Sequence, residues 1–145
     1  MTLLKQFQIK HPIFLAPMAG VSTPALAAEV SNQGGLGSLG LGSSTLQDAR
    51  QQILQTQALT QQPFQVNFFC HQSAALDQDG AKQWIEYLTP QFEKYHATAP
   101  SELKCIYHSF LDNDDYLNLV LETRPKAVSF HFGIPHAHQI QALKD

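Results

Sequence analysis

The segment Pro12–Leu39, PIFLAPMAGVSTPALAAEVSNQGGLGSL, predicts a strand, then a helix, then a second strand. Its first six residues form an apolar run closed by a proline, which is typical of a short buried strand. Thr23 suits the N-cap of the helix and Pro24 its first position, while Gly34 and Gly35 would end it. The chain therefore begins with a strand–helix–strand unit.

The alternation of strand and helix continues along the rest of the chain. Strands are predicted near residues 13–17, 36–39, 65–69 and 127–131. Before the last strand, Ala81–Leu88 predicts one helix, and Thr89 with Pro90 would start another. Because no hairpin signal is present, we expect parallel pairing through right-handed crossovers, with helices on one face. This pattern fits either a small open α/β sheet or half of an eight-unit barrel.

The composition excludes several classes of protein. The chain has 145 residues, 43% of them hydrophobic, with a net charge of −3, as expected for one globular domain. It has no basic cluster for nucleic acid and no apolar run long enough to span a membrane. A signal-peptide pattern is also missing, and the two cysteines suggest reduced thiols. We therefore expect a cytoplasmic protein without a nucleic-acid or membrane partner.

Two motifs that suggest ligand sites have weak support. Gly35–Gly40, GLGSLG, matches the dinucleotide fingerprint, but it follows a helix and no acidic residue lies about 20 positions further on. We interpret it as a helix stop followed by close strand packing. His136 and His138 are two residues apart at a predicted helix start, where their side chains would diverge. No metal site is expected.

His131 and Asn67 are the stronger candidates. His131 ends a predicted parallel strand, which is the end that faces the active site in a barrel, although it could also be a hydrogen-bonded core histidine. Asn67 lies within an apolar strand, and an unsatisfied buried amide costs about 1–3 kcal/mol. Its partner could be a neighbouring strand or the polar edge of a ligand. Tyr107 has a weaker claim by itself, and Cys70 fits a small buried apolar position.

Four segments together resemble the nitronate monooxygenase family, formerly called 2-nitropropane dioxygenases. They are Ala16–Pro24 (APMAGVSTP), Ser31–Ser38 (SNQGGLGS), Pro63–His71 (PFQVNFFCH) and Val128–Gly133 (VSFHFG). They occur in family order and spacing from about residue 12 to the last residue. The last two segments favour the class that acts on alkyl nitronates such as propionate 3-nitronate.

The resemblance implies a partial TIM (β/α)8 barrel, with residues 1–145 as the N-terminal half of an FMN-dependent domain. The implied reaction uses O2 to convert an alkyl nitronate to a carbonyl compound and nitrite. The resemblance places the isoalloxazine ring of FMN against the backbone of Pro17, Met18, Ala19 and Gly20, with Asn67 as a polar contact to the flavin. It implies that Tyr107 and His131 face the substrate as the candidate catalytic residues.

The sequence also departs from the family pattern. It contains no counterpart of the later Gly-Gly-His segment or of the glycine-rich loops that hold the FMN phosphate. We therefore expect a truncated, inactive chain that self-associates through exposed barrel edges and an apolar inner face. Two alternatives stay open: a truncated product without a catalytic role, and a related FMN-dependent quinone or enoyl reductase.

Overall fold

The computed structural model describes residues 2–73, 75 and 77–144. Its helices are α1 (Leu3–Phe7), α2 (Pro24–Asn32), α3 (Leu46–Leu59), α4 (Gln78–Lys94), α5 (Asp115–Thr123) and α6 (Ala137–Lys144). Its strands are β1 (Gly37–Gly40), β2 (Phe64–Phe69) and β3 (Ala127–His131). None of the helices in these described ranges is long and apolar enough to cross a membrane.

The chain divides into two compact units. One contains Met1–Gln72 and Tyr107–Asp145, and the other contains Ser73–Ile106. The first unit holds all three strands and every candidate site residue, whereas α4 lies in the second.

The three strands form a parallel sheet in the order β1-β2-β3. The register pairs Gly40 with Asn67, Asn67 with Ser129, and Phe69 with His131. Each strand lies within one residue of its predicted span. The predictions of an α/β fold, of parallel pairing and of these three strands are therefore confirmed.

The predicted buried strand at 13–17 is wrong in extent and in burial. Only Phe14 forms a bridge, to Leu36, in the parallel sense. The side chain of Ile13 is 60% exposed and that of Phe14 is 43% exposed. Prolines at both ends of the run donate no ladder hydrogen bond, and the run has one neighbouring strand among the described residues. The segment is therefore an exposed edge of the sheet that runs parallel to its strands.

One face of the sheet packs against helices, as predicted. Alternate residues of the strands, including Leu39, Val66 and Phe68, join a buried core with residues of α2, α3 and α5. The approach of α2 is close, because a Cβ built at Gly37 would lie 2.0 Å from the carbonyl oxygen of Ala27. Glycine at this position therefore lets the helix lie directly on β1.

The other face, here called the polar face, carries the remaining alternate residues. They are Ser38 and Gly40 of β1, Gln65, Asn67 and Phe69 of β2, and Ala127, Ser129 and His131 of β3. Hydrogen bonds join neighbouring strands here, and Nε2 of Gln65 donates to Oγ of Ser38 at 2.6 Å. The expectation of an apolar inner face is therefore wrong, because residues two apart on a strand share a face and most of these are polar.

Two helix predictions need correction. Ala81–Leu88 and the segment after Pro90 belong to the single helix α4, which continues through the proline. Pro90 has no backbone N–H, so the carbonyl four residues earlier lacks its helical hydrogen bond. The helix nevertheless continues past the proline. The spacing of Ser44 and Gln47 resembles a capping box and predicts Ser44 as the cap of α3. The cap is Thr45 instead, because its hydroxyl accepts from the backbone of Asp48 at 3.1 Å.

Candidate functional site

The carboxyl ends of the strands hold the predicted site residues. The loop Pro17–Gly20 lies against the end of β1, since a Cβ built at Gly40 would be 2.9 Å from the carbonyl carbon of Met18. Gly40 is paired with Asn67 on the next strand, and Phe69 is paired with His131 on the third. The structure thus places the loop, Asn67 and His131 at the same edge of the sheet.

Internal hydrogen bonds fix the loop. The backbone nitrogen of Met18 donates to Oγ of Ser22 at 2.8 Å, and that hydroxyl donates to the carbonyl oxygen of Ala16 at 2.6 Å. Ser22 is buried, whereas the side chain of Met18 is 48% exposed. Gly20 has a φ of +74°, a conformation that glycine adopts without steric cost. The loop therefore presents Met18 and exposed backbone from a fixed turn.

Asn67 and His131 are in direct contact. Oδ1 of Asn67 lies 3.1 Å from Nδ1 of His131, and Nδ2 of Asn67 donates to Oγ of Ser129 at 2.9 Å. Asn67 is 1% exposed, while His131 is exposed. Both ends of the buried amide thus have protein partners on β3. The predicted contact of Asn67 with flavin remains a prediction, and it would use the second hydrogen of Nδ2 or the second lone pair of Oδ1.

Tyr107 and His131 lie around the ring of Phe69. The centroid of the Phe69 ring is 5.6 Å from that of Tyr107, 6.5 Å from that of His131 and 4.8 Å from that of Phe132. Edge-to-face and tilted geometries of this kind are the favoured ones for aromatic pairs. The two candidate catalytic residues therefore meet the same side chain of the polar face.

The chain turns sharply after His131. Phe132 has a φ of +70°, which is unusual for a bulky residue and costs roughly 1–2 kcal/mol. A Cβ built at Gly133 would lie 2.2 Å from the carbonyl oxygen of Cys70, so only glycine fits there. The backbone nitrogen of Cys70 also donates to the carbonyl oxygen of His131 at 2.8 Å. These constraints hold the His131 end of β3 in place.

Cys70 lies beneath the site in the core. Its side chain is 2% exposed, and burial raises the pKa of its thiol to about 11. A thiol of this kind is not a nucleophile at neutral pH, because the thiolate is the reactive form. The interpretation of Cys70 as a small core residue agrees with this environment.

The arrangement fits the ring of a flavin. The exposed thioether of Met18 and the exposed residues Ala19 and Gly20 stand at the end of a parallel sheet, and nothing lies within 4 Å of a Cβ built at Gly20. A flat ring can approach such a turn closely, because glycine leaves room for it. Among the described residues, no group of three or more potential metal ligands is found.

Sequence reasoning missed Ser129, Phe69 and Phe132. The first two were within reach, because Ser129 is two residues before His131 and Phe69 is two after Asn67, so each pair shares a face. The positive φ of Phe132 had no signal other than the glycine that follows it. Ser22 could be expected as a turn residue from the sequence. The two hydrogen bonds that its hydroxyl makes across the loop could not be expected.

Comparison with known proteins identifies relatives of the whole chain. The family model described as nitronate monooxygenase matches residues 1–145. A nitronate monooxygenase of Paraburkholderia phytofirmans is 53% identical over 142 residues, which are 98% of this chain and 39% of that protein. One of Pseudomonas aeruginosa is 48% identical over 136 residues, or 94% of this chain and 39% of the relative. The chain therefore spans about two fifths of the length of these curated relatives.

Solved structures give the same result for the fold. A nitroalkane oxidase from Streptomyces ansochromogenes matches with a TM-score of 0.80 and 33% identity, over 98% of this chain and 39% of that one. A FabK mutant from Thermotoga maritima matches with a TM-score of 0.65 and 26% identity, over 98% of this chain and 35% of the other. These neighbours are TIM-barrel enzymes, so the predicted partial barrel is confirmed.

Proposed function

The chain belongs to the nitronate monooxygenase family, and from that premise we propose that residues 1–145 form the N-terminal part of an FMN-dependent barrel that oxidises alkyl nitronates. The observation that carries the proposal is the family match over the whole chain, together with the grouping of the loop Pro17–Gly20, Asn67 and His131 at one sheet edge. Active sites of such barrels lie at this edge.

The loop Pro17–Gly20 and Asn67 would hold the flavin ring. FMN, when bound, supplies the redox chemistry that no protein side chain provides. The loop is suited to orient the ring, because Ser22 fixes its backbone from both sides. Met18 would cover one side of the ring and exclude water from it, since its side chain is exposed and apolar.

His131 and Tyr107 would hold the substrate. A nitronate is an anion, and both residues carry groups that can donate a hydrogen bond to its oxygens. Their rings flank Phe69, which would pack against the carbon part of the substrate. A donor fixed on a strand, as His131 is, costs little reorganisation during reaction, and fixed donors of this kind are usually the largest source of stabilisation for developing charge.

The alternative activity is that of an FMN-dependent reductase of quinones or enoyl thioesters. The same sheet edge would hold the flavin in that case, and the structural match to FabK agrees with a fold shared more widely than one reaction. The nitronate reaction is favoured because the curated relatives with 53% and 48% identity are both nitronate monooxygenases. A cytoplasmic location and O2 as co-substrate are part of the proposal.

A chimera tests this function. This chain would replace the matching part of the Paraburkholderia relative, to which it is 53% identical. We expect the purified chimera to retain FMN and to consume O2 in the presence of propionate 3-nitronate. The unmodified relative is the positive control, and NAD(P)H with a quinone or an enoyl thioester tests the alternative. A folded, flavin-loaded chimera that acts only on quinone or enoyl substrates would overturn the nitronate proposal.

The two candidate catalytic residues can be tested in the same chimera. His131→Gln and Tyr107→Phe should each lower kcat/KM for the nitronate, because the first replaces the imidazole next to Phe69 and the second removes the phenol hydroxyl there. A tenfold loss corresponds to about 1.4 kcal/mol of transition-state stabilisation. Tyr95→Phe, at an exposed position on the other compact unit, is the matched control and should have no effect. Full activity in both variants would show that neither His131 nor Tyr107 acts on the substrate.

A further inference from the structure

The environment of His131 determines which ring nitrogen carries its hydrogen. Oδ1 of Asn67 lies 3.1 Å from Nδ1 of His131. An amide oxygen accepts hydrogen bonds and cannot donate one, so this contact is a hydrogen bond only when Nδ1 is protonated. Among the described residues, no hydrogen-bond partner of Nε2 is found. In the neutral ring, Nε2 therefore carries the lone pair and is left for a ligand.

The orientation of the Asn67 amide is the second step. Nδ2 of Asn67 donates to Oγ of Ser129 at 2.9 Å, and in this orientation of the amide Oδ1 faces His131. Ser129 and His131 are two residues apart on β3, so both side chains lie on the polar face and reach the same amide. The reversed amide would present a donor to Nδ1 and would give the opposite tautomer. The tautomer of His131 therefore reports the orientation of the Asn67 side chain.

We propose that Ser129 is a positioning residue that acts through Asn67 to hold His131 as the Nδ1–H tautomer, with Nε2 as its ligand-facing atom. This inference rests on the proposed function only where it concerns the substrate. It implies that Nε2 of the neutral ring accepts a hydrogen bond from a substrate, whereas Nε2 of the charged ring donates a hydrogen bond to it. A nitronate oxygen would then be bound by the protonated ring, and a C–H or O–H of a neutral substrate by the neutral ring.

The tautomer can be measured without flavin or substrate. The 145-residue chain, labelled with 15N in its seven histidine rings, would be examined by magic-angle-spinning NMR, which does not require a monomer. The measurement is made at about pH 8.5, where ordinary histidines are neutral. His131→Gln identifies the signals of His131 by their loss. We expect a protonated Nδ1 and an unprotonated Nε2 in the unsubstituted chain.

Three variants separate positioning from general loss of structure. Asn67→Asp presents only acceptors, so it should keep Nδ1–H. Ser129→Thr keeps the hydroxyl and should keep it too. Ser129→Ala frees the amide to rotate, so both tautomers should appear while the other histidine signals stay in place.

Two results would overturn the proposal. The first is an Nε2–H tautomer in the unsubstituted chain or in Asn67→Asp. The second is an unchanged tautomer in Ser129→Ala. Because neither FMN nor nitronate is present, these results are independent of the activity of the chimera. In the chimera, Ser129→Ala should lower kcat severalfold, with Ser129→Thr restoring it.

Discussion

Oδ1 of Asn67 and Nδ1 of His131 are 3.1 Å apart on neighbouring strands, although 64 residues separate them in the sequence. The contact follows from the parallel register, which pairs Asn67 with Ser129 and Phe69 with His131. His131 is therefore positioned by the sheet and not by a loop. A site residue on a strand is held more precisely than one on a loop.

The buried amide of Asn67 should contribute measurably to stability. Asn67→Ala should lower the free energy of unfolding by about 1–3 kcal/mol, because Ser129 and His131 each lose a partner. Urea denaturation of the chain measures this. Asn118→Ala, at an exposed position of α5, is the control and should stay within about 0.5 kcal/mol of the unsubstituted chain. Equal effects of the two substitutions would contradict the assigned hydrogen bonds.

Gln139 should anchor α6. Its side chain is 1% exposed, and its Nε2 donates to the carbonyl oxygen of Phe110 at 2.9 Å and to Oδ1 of Asp114 at 3.0 Å. Gln139→Ala should therefore cost about 1–3 kcal/mol in unfolding free energy. Gln55→Ala, at an exposed position on α3, is the matched control. If both variants have the same denaturation midpoint, Gln139 is not an anchor.

The part of the fold with strong local signals was predictable from the sequence. The three strands of the sheet carry apolar residues such as Leu39, Val66 and Phe130, and Thr23 with Pro24 marked the start of α2. The segment 13–17 carried the same signals, but its burial depends on neighbours that a local pattern does not show. Pro90 signalled a helix boundary, and the longer helix α4 overrode it.

The site was predictable in part, for a related reason. Asn67 and His131 were recognisable because each is polar at a position where a strand is apolar or ends. Their mutual hydrogen bond was not, since it depends on a register between strands that are 64 residues apart. The polar face illustrates the same limit: the segment 65–69 was predicted as a strand, but its residues were not assigned to the two faces of the sheet.

The two cysteines should differ in reactivity. Burial raises the pKa of the Cys70 thiol to about 11, so at pH 8 only about one molecule in a thousand carries the thiolate. Cys105 is exposed. Iodoacetamide at pH 8 should therefore label Cys105 first, as read by peptide mass spectrometry, with Cys70 labelled only after urea is added. Early labelling of Cys70 in the folded chain would contradict its buried position.

Asp114 should make stability depend on pH in acid. Its pKa is lowered from 3.8, first by the hydrogen bond from Gln139 and then by that from His138. A lowered carboxyl pKa stabilises the fold above the unfolded value, and this stabilisation is lost as pH falls through the folded value. Asp114→Ala should therefore reduce the denaturation midpoint at pH 6 more than at pH 3. Asp79→Ala, at an exposed carboxylate of α4, is the control for the removal of one surface charge. A constant difference for Asp114→Ala at both pH values would exclude this linkage.

The open edges of the sheet should promote self-association. Among the described residues, β3 and the segment around Phe14 each have one neighbouring strand. Beside β3, residues of α5, β3 and α6 line a cavity of about 750 Å³, and several of them are apolar. Unpaired strand edges are templates for association. Sedimentation velocity of the isolated chain should show oligomers, whereas the chimera should show fewer. A monodisperse monomer would contradict this expectation.

Flavin retention tests the central claim, that residues 1–145 form one wall of an FMN site. The isolated chain and the chimera would each be mixed with excess FMN, desalted, and examined for flavin absorbance. Residues 1–145 correspond to about 39% of the length of the Paraburkholderia relative, so an isolated polypeptide of these residues lacks any flavin contact made by the rest of that length. Each lost charge-assisted hydrogen bond to phosphate is worth about 1.5–3 kcal/mol, which lowers affinity by orders of magnitude. We predict a colourless isolated chain and a yellow chimera. A folded chimera that binds no FMN would contradict the claim.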